Sequence, residues 1–236
     1  MRKLFAILLP LAGLAAHAQD VTVEADLTSQ YIWRGLELGG FSLQPTFGID
    51  WKGLSFSAWG NAGLSDKDDP REIDLSLSYS RWGFTVGVTD YWATTREEDA
   101  RYFRYDGHHT NHVFEANVGY DFSELEACPL PLSLIWNTNF GGADGVNKRG
   151  KRAFSSYMEI ASSFSWVDCD WDACAGIVPY ATDYYETRGF ALTNLSLRAT
   201  RDIRINDKFS IPVFAEAITN TRSGKAWLNF GLTIRP

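Results

Sequence analysis

Apolar and polar residues alternate along most of this 236-residue chain, and that period of two constrains its fold more than any other feature. In the first such segment, residues 21–34, the odd positions are mainly apolar and the even positions mainly polar. Successive side chains of a β-strand point to opposite faces, so this pattern predicts a strand with two different faces. The pattern returns at residues 42–51, 54–64, 72–79, 82–89, 114–122, 130–139, 158–164, 175–181, 194–200, 209–216 and 228–235. We therefore predict an all-β fold of about twelve strands.

The predicted connections between these strands are long and short in turn. Residues 65–71, 93–110 and 141–152 form long loops, whereas Lys52-Gly53 and residues 80–82 form short turns between them. Long loops on one rim and short turns on the other are typical of bacterial outer-membrane barrels, whose strands are roughly 9 to 11 residues long. The sequence thus predicts a closed antiparallel up-and-down transmembrane barrel.

Aromatic residues make up 14% of the chain, and many of them lie at the ends of predicted strands. We assign to the long-loop rim Tyr31, Trp33, Trp92 and Trp227, and to the short-turn rim Trp51, Trp82, Phe122 and Trp166. Such rings form belts at the headgroup depth of a membrane. A soluble sandwich or lipocalin-like barrel alternates equally well but does not explain these belts. Because a closed barrel has no edge strand, three prolines inside predicted strands argue against it, namely Pro45, Pro179 and Pro212.

The N-terminal segment predicts export. Arg2 and Lys3 precede an apolar run at residues 4–16, and Ala16-His17-Ala18 follows as a small-x-small cleavage site. We therefore predict a signal peptide at residues 1–18 and an outer-membrane barrel at residues 19–236. The net charge of -7 includes the two basic residues of the leader, so the exported part is more acidic still. This acidity argues against nucleic acid partners, and the expected partners are outer-membrane lipid and small solutes.

The polar face lines the lumen if the apolar face meets lipid. The charged residues then expected in the lumen are Glu24, Asp26, Arg34, Asp50, Glu72, Asp74, Glu115, Asp121, Glu159, Arg198, Glu216 and Arg235. Nine carboxylates among them face three arginines. A narrow lumen of this composition favours cationic or neutral solutes over anions. The alternative is that these charges pair across the lumen and close it.

The first third of the chain resembles a known family. Over about residues 26–62 it carries Thr28-Ser29-Gln30-Tyr31-Ile32-Trp33-Arg34-Gly35, Gln44-Pro45, Gly48, Asp50, Gly53 and Trp59-Gly60-Asn61. These motifs resemble the opening hairpins of the TorF-type porins, small exported outer-membrane β-barrels of Gram-negative bacteria, although Gln30 stands where an Asp is expected. The resemblance implies an outer-membrane location and a channel-like role, and it implies no particular solute.

The spacing of two cysteines suggests a disulfide across a turn. Cys169 and Cys174 flank a predicted four-residue turn, a spacing that can bring opposite positions of a hairpin within disulfide range. We predict a disulfide between them, with a bond from Cys128 to either one as the competing connectivity.

The histidines of the exported part cluster beside the longest loop, at His108, His109 and His112. No cysteine or spaced carboxylate completes a recognisable ligand set, so we predict no metal site and no cofactor. The stretch His108-x-Thr110-Asn111 faintly resembles the His-x-Ser-Asn stretch of outer-membrane lipid hydrolases, in which a histidine activates a serine. We predict a passive channel that is not an enzyme. The alternatives are a closed structural or surface-interaction barrel and, less favoured, a lipid hydrolase.

Overall fold

The computed structural model describes residues 20–66, 68–94, 101–106, 109–126, 130–207 and 209–236. The predicted signal peptide, His108 and Cys128 lie outside these ranges. What the sequence predicts for them therefore stays a prediction.

Twelve antiparallel strands close into one barrel, and two further strands form a separate hairpin. In chain order the strands are β1 (Asp20–Thr28), β2 (Tyr31–Trp33), β3 (Leu36–Gly39), β4 (Ser42–Trp51), β5 (Leu54–Gly63), β6 (Arg71–Arg81), β7 (Phe84–Thr94), β8 (His112–Asp121), β9 (Ser133–Gly142), β10 (Ser156–Trp166), β11 (Cys169–Val178), β12 (Ala191–Asn206), β13 (Phe209–Asn220) and β14 (Lys225–Ile234). From β4 to β14 each strand pairs with the next, and β1 closes the barrel by pairing with β4 and β14. The predicted closed, all-β barrel of twelve strands is confirmed.

Helical structure contributes little to the described part of the chain. Among the described residues the one helical element is a 3-10 turn, Phe122–Glu124, which follows β8. Within the described ranges no helix is long and apolar enough to cross a membrane.

The alternation in the sequence becomes the two faces of the barrel wall. Residues directly opposite each other on neighbouring strands share a face, as Val23 of β1 and Phe47 of β4 do. The apolar face is the exposed one, with Val23 52%, Val88 47% and Phe230 50% exposed. The buried side chains are mainly Ser, Thr, Asn and Tyr. The polarity of this barrel is therefore inverted relative to one built around an apolar core.

Three short turns have the backbone that two-residue hairpins require. Lys52-Gly53, Trp82-Gly83 and Val167-Asp168 all have positive φ at both positions. That is the conformation of a type I′ turn, whose twist matches the twist of the flanking strands. The predicted tight turn at Lys52-Gly53 is confirmed.

The three prolines fit the closed barrel because none removes a donor that an adjacent strand uses. Pro45 lies where the ladder between β4 and β5 is interrupted. Pro212 lies just before the first pair between β13 and β14, which joins Val213 and Leu232. Pro179 follows the end of β11. These prolines are therefore compatible with a closed barrel.

The predicted disulfide between Cys169 and Cys174 is wrong. The turn lies at Val167-Asp168 rather than between the cysteines, so both belong to β11 and both thiols are free. At the rise of a strand their Cα atoms are about 16 Å apart, whereas a disulfide requires less than about 7 Å. Their odd separation also places them on opposite faces of the wall.

The first strand ends earlier than predicted, so two residues that we assigned to the long-loop aromatic belt do not belong to it. β1 ends at Thr28, so Tyr31 and Trp33 belong to the hairpin β2–β3 and not to the wall. Trp227 is also wrongly assigned to the belt, because it lies opposite Ile218 on the inner face. Of the four rings assigned to the short-turn rim, those of Trp51, Trp82 and Trp166 are exposed and that of Phe122 is half-buried.

Candidate functional site

Pairing registers place the predicted lumen residues of the strands on the inner face of the wall. These residues are Glu24, Asp26, Asp50, Glu72, Asp74, Glu115, Asp121, Glu159, Arg198 and Glu216. Arg198 lies directly opposite Glu216, and its Nη2 is 3.9 Å from Oδ2 of Asp26. Beyond the last strand, Arg235 lies 3.3 Å from Asp202. Some of the interior charges therefore pair with one another.

The interior also contains the hairpin β2–β3, whose first strand was predicted to be part of the wall. Its base is fixed by Asn229 of β14, whose Oδ1 accepts hydrogen bonds from Thr28 Oγ1 (2.9 Å), Ser29 Oγ (2.9 Å) and the Gln30 backbone N–H (3.0 Å). These bonds turn the chain inward directly after β1.

The tip of the hairpin is the pair Arg34-Gly35, both with positive φ. Gly35 packs so closely on β12 that a Cβ atom would lie 1.8 Å from the Thr193 carbonyl oxygen. Asn220 of β13 donates a hydrogen bond of 3.0 Å to the Gly35 carbonyl. Only glycine fits this backbone conformation and this close contact with β12. Gly35 thus holds the tip of the hairpin against the wall, and the adjacent Arg34 lies inside the barrel.

Arg34 forms a bidentate ion pair with Glu115 of β8. Nη1 donates to Glu115 Oε2 at 2.6 Å, and Nη2 donates to Glu115 Oε1 at 2.8 Å. Nη1 also donates to the hydroxyl of Tyr185, at 2.5 Å, and Tyr91 donates to Glu115 Oε1 at 2.9 Å. The Glu115 side chain is 1% exposed and that of Arg34 is 12% exposed. Because β8 lies five strands from β1 around the closed barrel, this pair holds the hairpin across the lumen.

Aromatic rings enclose the Arg34 guanidinium. Its Cζ lies 4.4 Å from the Trp33 ring centroid and 4.7 Å from that of Tyr157. Trp33 in turn stacks on Tyr185 at 5.8 Å. Burial opposes the charged form of Arg34, but the neighbouring Tyr185 and Glu115 outweigh it, and the pKa of the guanidinium is raised well above its ordinary value. Arg34 therefore stays a cation in this enclosure.

A second contact fixes the side of the hairpin. The Tyr31 hydroxyl donates to Glu72 Oε2 of β6 at 2.8 Å, and its ring contacts Trp59 of β5 at 5.6 Å. The hairpin thus contacts the wall on several sides of the lumen.

The inner aromatic residues were not predicted as site residues. Trp59, Tyr91 and Tyr157 lie at positions that alternate with the apolar residues of their strands. The sequence pattern could therefore have identified them as facing inward. Tyr185 lies in the loop between β11 and β12, where no periodic pattern exists to reveal it.

Toward the short-turn rim, inner carboxylates accept hydrogen bonds from serines. Ser163 donates to Asp172 at 2.6 Å and Ser165 donates to Asp170 at 2.7 Å, while Ser55 donates to Asp50. A hydroxyl stabilises a carboxylate without neutralising it. Three carboxylates at this end of the interior thus have serine hydroxyls as hydrogen-bond partners, and Arg198 lies opposite one of them, Asp172.

The two described histidines, His109 and His112, lie in and beside the loop between β7 and β8. His112 pairs with Trp92 on the outer face, where its ring nitrogens contact Asp90 Oδ1 at 2.7 Å and the Tyr102 carbonyl at 2.5 Å. His109 contacts Asp106, whose hydrogen bonds with Arg104 and His109 hold its pKa at about 2. Within the part of the chain that the structure describes, no three His, Cys, Asp or Glu residues are grouped to hold a metal ion.

The proposed resemblance to lipid hydrolases involves Thr110, which is buried. Its hydroxyl donates to the Arg104 carbonyl at 2.7 Å and accepts from the His112 backbone N–H at 3.0 Å. His108 lies outside the described residues, so its position relative to Thr110 stays a prediction.

These features define a class of protein, a closed twelve-stranded barrel whose polar interior is crossed by a hairpin. No protein-family profile matches the chain, and no curated protein is similar enough to match it. Among solved structures, NanC porin in a rhombohedral crystal form aligns with a TM-score of 0.48 at 8% identity, covering 92% of this chain and 98% of the porin. A chain from work on the in-meso crystallization of membrane proteins aligns with a TM-score of 0.45 at 8% identity, covering 92% and 83%. Membership of the TorF-type porins stays a prediction.

Replacing Gly35 by alanine tests the seating of the hairpin. We expect Gly35→Ala to lower the free energy of unfolding by about 1 kcal/mol or more, because the left-handed backbone disfavours a Cβ atom and the Thr193 carbonyl blocks it. Gly189→Ala is the control, since a Cβ atom there meets nothing within 4 Å. Urea titration of the folded barrel measures both, and equal effects would contradict this placement of the hairpin.

Proposed function

We propose that the protein is an outer-membrane channel for small cationic or neutral solutes, with an acidic lumen that the hairpin β2–β3 narrows. One observation carries this proposal, namely the inverted polarity of the closed barrel. Apolar side chains cover its outside, and carboxylates line its inside.

Lipid is the solvent that suits the outer wall. The exposed apolar residues occur on strand after strand, as Phe56, Leu77 and Val118 illustrate. A continuous apolar surface of this kind is unfavourable in water. A bilayer covers it without leaving backbone groups unpaired, because every strand of a closed barrel has neighbours on both sides. This argument supports a membrane-spanning barrel.

The inner carboxylates favour cations. Asp50, Asp170 and Asp172 each accept a hydrogen bond from a serine hydroxyl, and Arg198 is the cation opposite Asp172. Like charges in a narrow space bounded by protein and lipid create a strong local potential that attracts cations and repels anions. This end of the lumen supplies the selectivity in our proposal.

The hairpin favours a second candidate, a barrel that does not conduct. It is bonded at its base to Asn229 and at its tip to Asn220 and Glu115. A hairpin bonded at both ends would keep the lumen closed, as expected of a structural or surface-interaction barrel. Conductance separates the two candidates, because a structural barrel passes no ions.

The membrane-facing surface is tested by charge substitution. We expect Val88→Lys, on the outer face of β7, to cost about 2–4 kcal/mol of unfolding free energy in a bilayer, since it puts a cation into hydrocarbon. Ser57→Lys is the matched control, because Ser57 lies on the inner face opposite Ser76. The comparison is made by urea unfolding from lipid vesicles. If both lysines have the same effect, the outer face does not meet lipid.

Selectivity is tested by the reversal potential in a planar bilayer under a KCl gradient. We expect a potential of the sign that cation preference gives. Asp172→Asn should lower the permeability ratio of cation to anion by about two-fold, because it removes one lumen charge. Asp168→Asn is the control, since this exposed carboxylate lies in the turn outside the wall. Anion preference would overturn the proposal, and absence of conductance would favour the structural barrel.

A further inference from the structure

We propose that Glu115, Tyr91, Tyr157 and Tyr185 form a binding site for guanidinium-type cations, which Arg34 of the hairpin occupies from within the chain. This inference rests on the proposed channel and names a class of solute for it. Arg34 would then act as a tethered ligand whose displacement frees the hairpin.

Four of the groups that hold the guanidinium come from separate segments outside the hairpin, and only the Trp33 ring belongs to the hairpin itself. Glu115 lies on β8, Tyr91 on β7, Tyr157 on β10 and Tyr185 in the loop after β11. The wall and this loop therefore keep the recognition groups when the hairpin moves.

The chemistry of the site matches a planar cation with several N–H donors. Both carboxylate oxygens of Glu115 accept from Arg34, in the fork geometry that a guanidinium provides. The Tyr185 hydroxyl accepts a third N–H, and the Tyr157 ring lies over the cation at 4.7 Å. Tyr91 donates to the carboxylate and so fixes its orientation. Tetramethylammonium has no N–H donor and cannot make this contact, and a primary ammonium lacks the planar fork.

Burial links occupancy of the site to the position of the hairpin. Glu115 is almost completely buried, so withdrawing Arg34 alone leaves a carboxylate without a counterion, which is strongly unfavourable. A cationic solute that takes the place of Arg34 removes this penalty. Such a solute binds the state with the hairpin withdrawn better than the closed state, and it therefore shifts the population toward opening.

The experiment removes the tethered ligand and adds a free one. The full barrel carrying Arg34→Ala is reconstituted in planar bilayers, and methylguanidinium is titrated against its conductance in KCl. We expect methylguanidinium to block this variant at a concentration at least ten-fold lower than tetramethylammonium does. Adding Glu115→Gln to the variant should weaken the block by methylguanidinium ten-fold or more. Arg222→Ala, in the exposed loop between β13 and β14, is the matched control and should behave as the unaltered protein.

A binding readout keeps this inference separate from the channel itself. Methylguanidinium should raise the temperature at which Arg34→Ala loses its heat-modifiable gel migration, and it should raise that of Arg34→Ala/Glu115→Gln much less. If Arg34→Ala does not fold, Arg34→Lys serves in its place, because a lysine ammonium lacks the planar pair of N–H donors that fills the fork. Stabilisation without conductance would overturn the channel and keep the site. Equal responses to methylguanidinium and tetramethylammonium, or no dependence on Glu115, would overturn the site.

Discussion

The buried ion pair between Arg34 and Glu115 is the interaction on which the interior of this barrel depends. Two charges inside a protein are costly to desolvate, and breaking such a pair typically costs about 3–5 kcal/mol. Here bidentate geometry, the Tyr185 and Tyr91 hydroxyls and the ring of Tyr157 offset the cost of burial. The pair joins a hairpin that leaves the wall after β1 to the far side of the lumen. Without it, hydrogen bonds to Asn229, Asn220 and Glu72 would have to hold the hairpin inward.

The wall and the hairpin are stabilised by different kinds of interaction. The wall is stable because each strand is paired on both sides and presents its apolar face outward, and this requires only a repeated alternation. The hairpin lacks that support, so it depends on specific contacts of Tyr31, Arg34 and Gly35. A mobile or displaceable element is expected where a few contacts carry all the stability. The wall thus supplies a fixed frame, and the hairpin sets how much of the lumen is open.

The alternation made the wall predictable from the sequence, but it could not reveal the hairpin. Glu72 and Glu159 lie on the inner face as expected, because the period of two fixes the face of every residue once one is known. Residues 29–34 continue the same alternation although the chain has left the sheet. The bend there is fixed by Asn229, about 200 positions away, and no local pattern records that contact. The cysteine prediction failed similarly, since a shift of the turn to Val167-Asp168 put both thiols on one strand.

The most direct test of this account is a double-mutant cycle on Arg34→Ala and Glu115→Ala, with the free energy of unfolding measured by urea titration of the folded barrel. If the two side chains hold the hairpin across the lumen as a pair, their effects should couple by about 1–3 kcal/mol, because the first substitution already removes what the second would remove. Effects that add within about 0.3 kcal/mol would show that the pair does not form and would contradict the account.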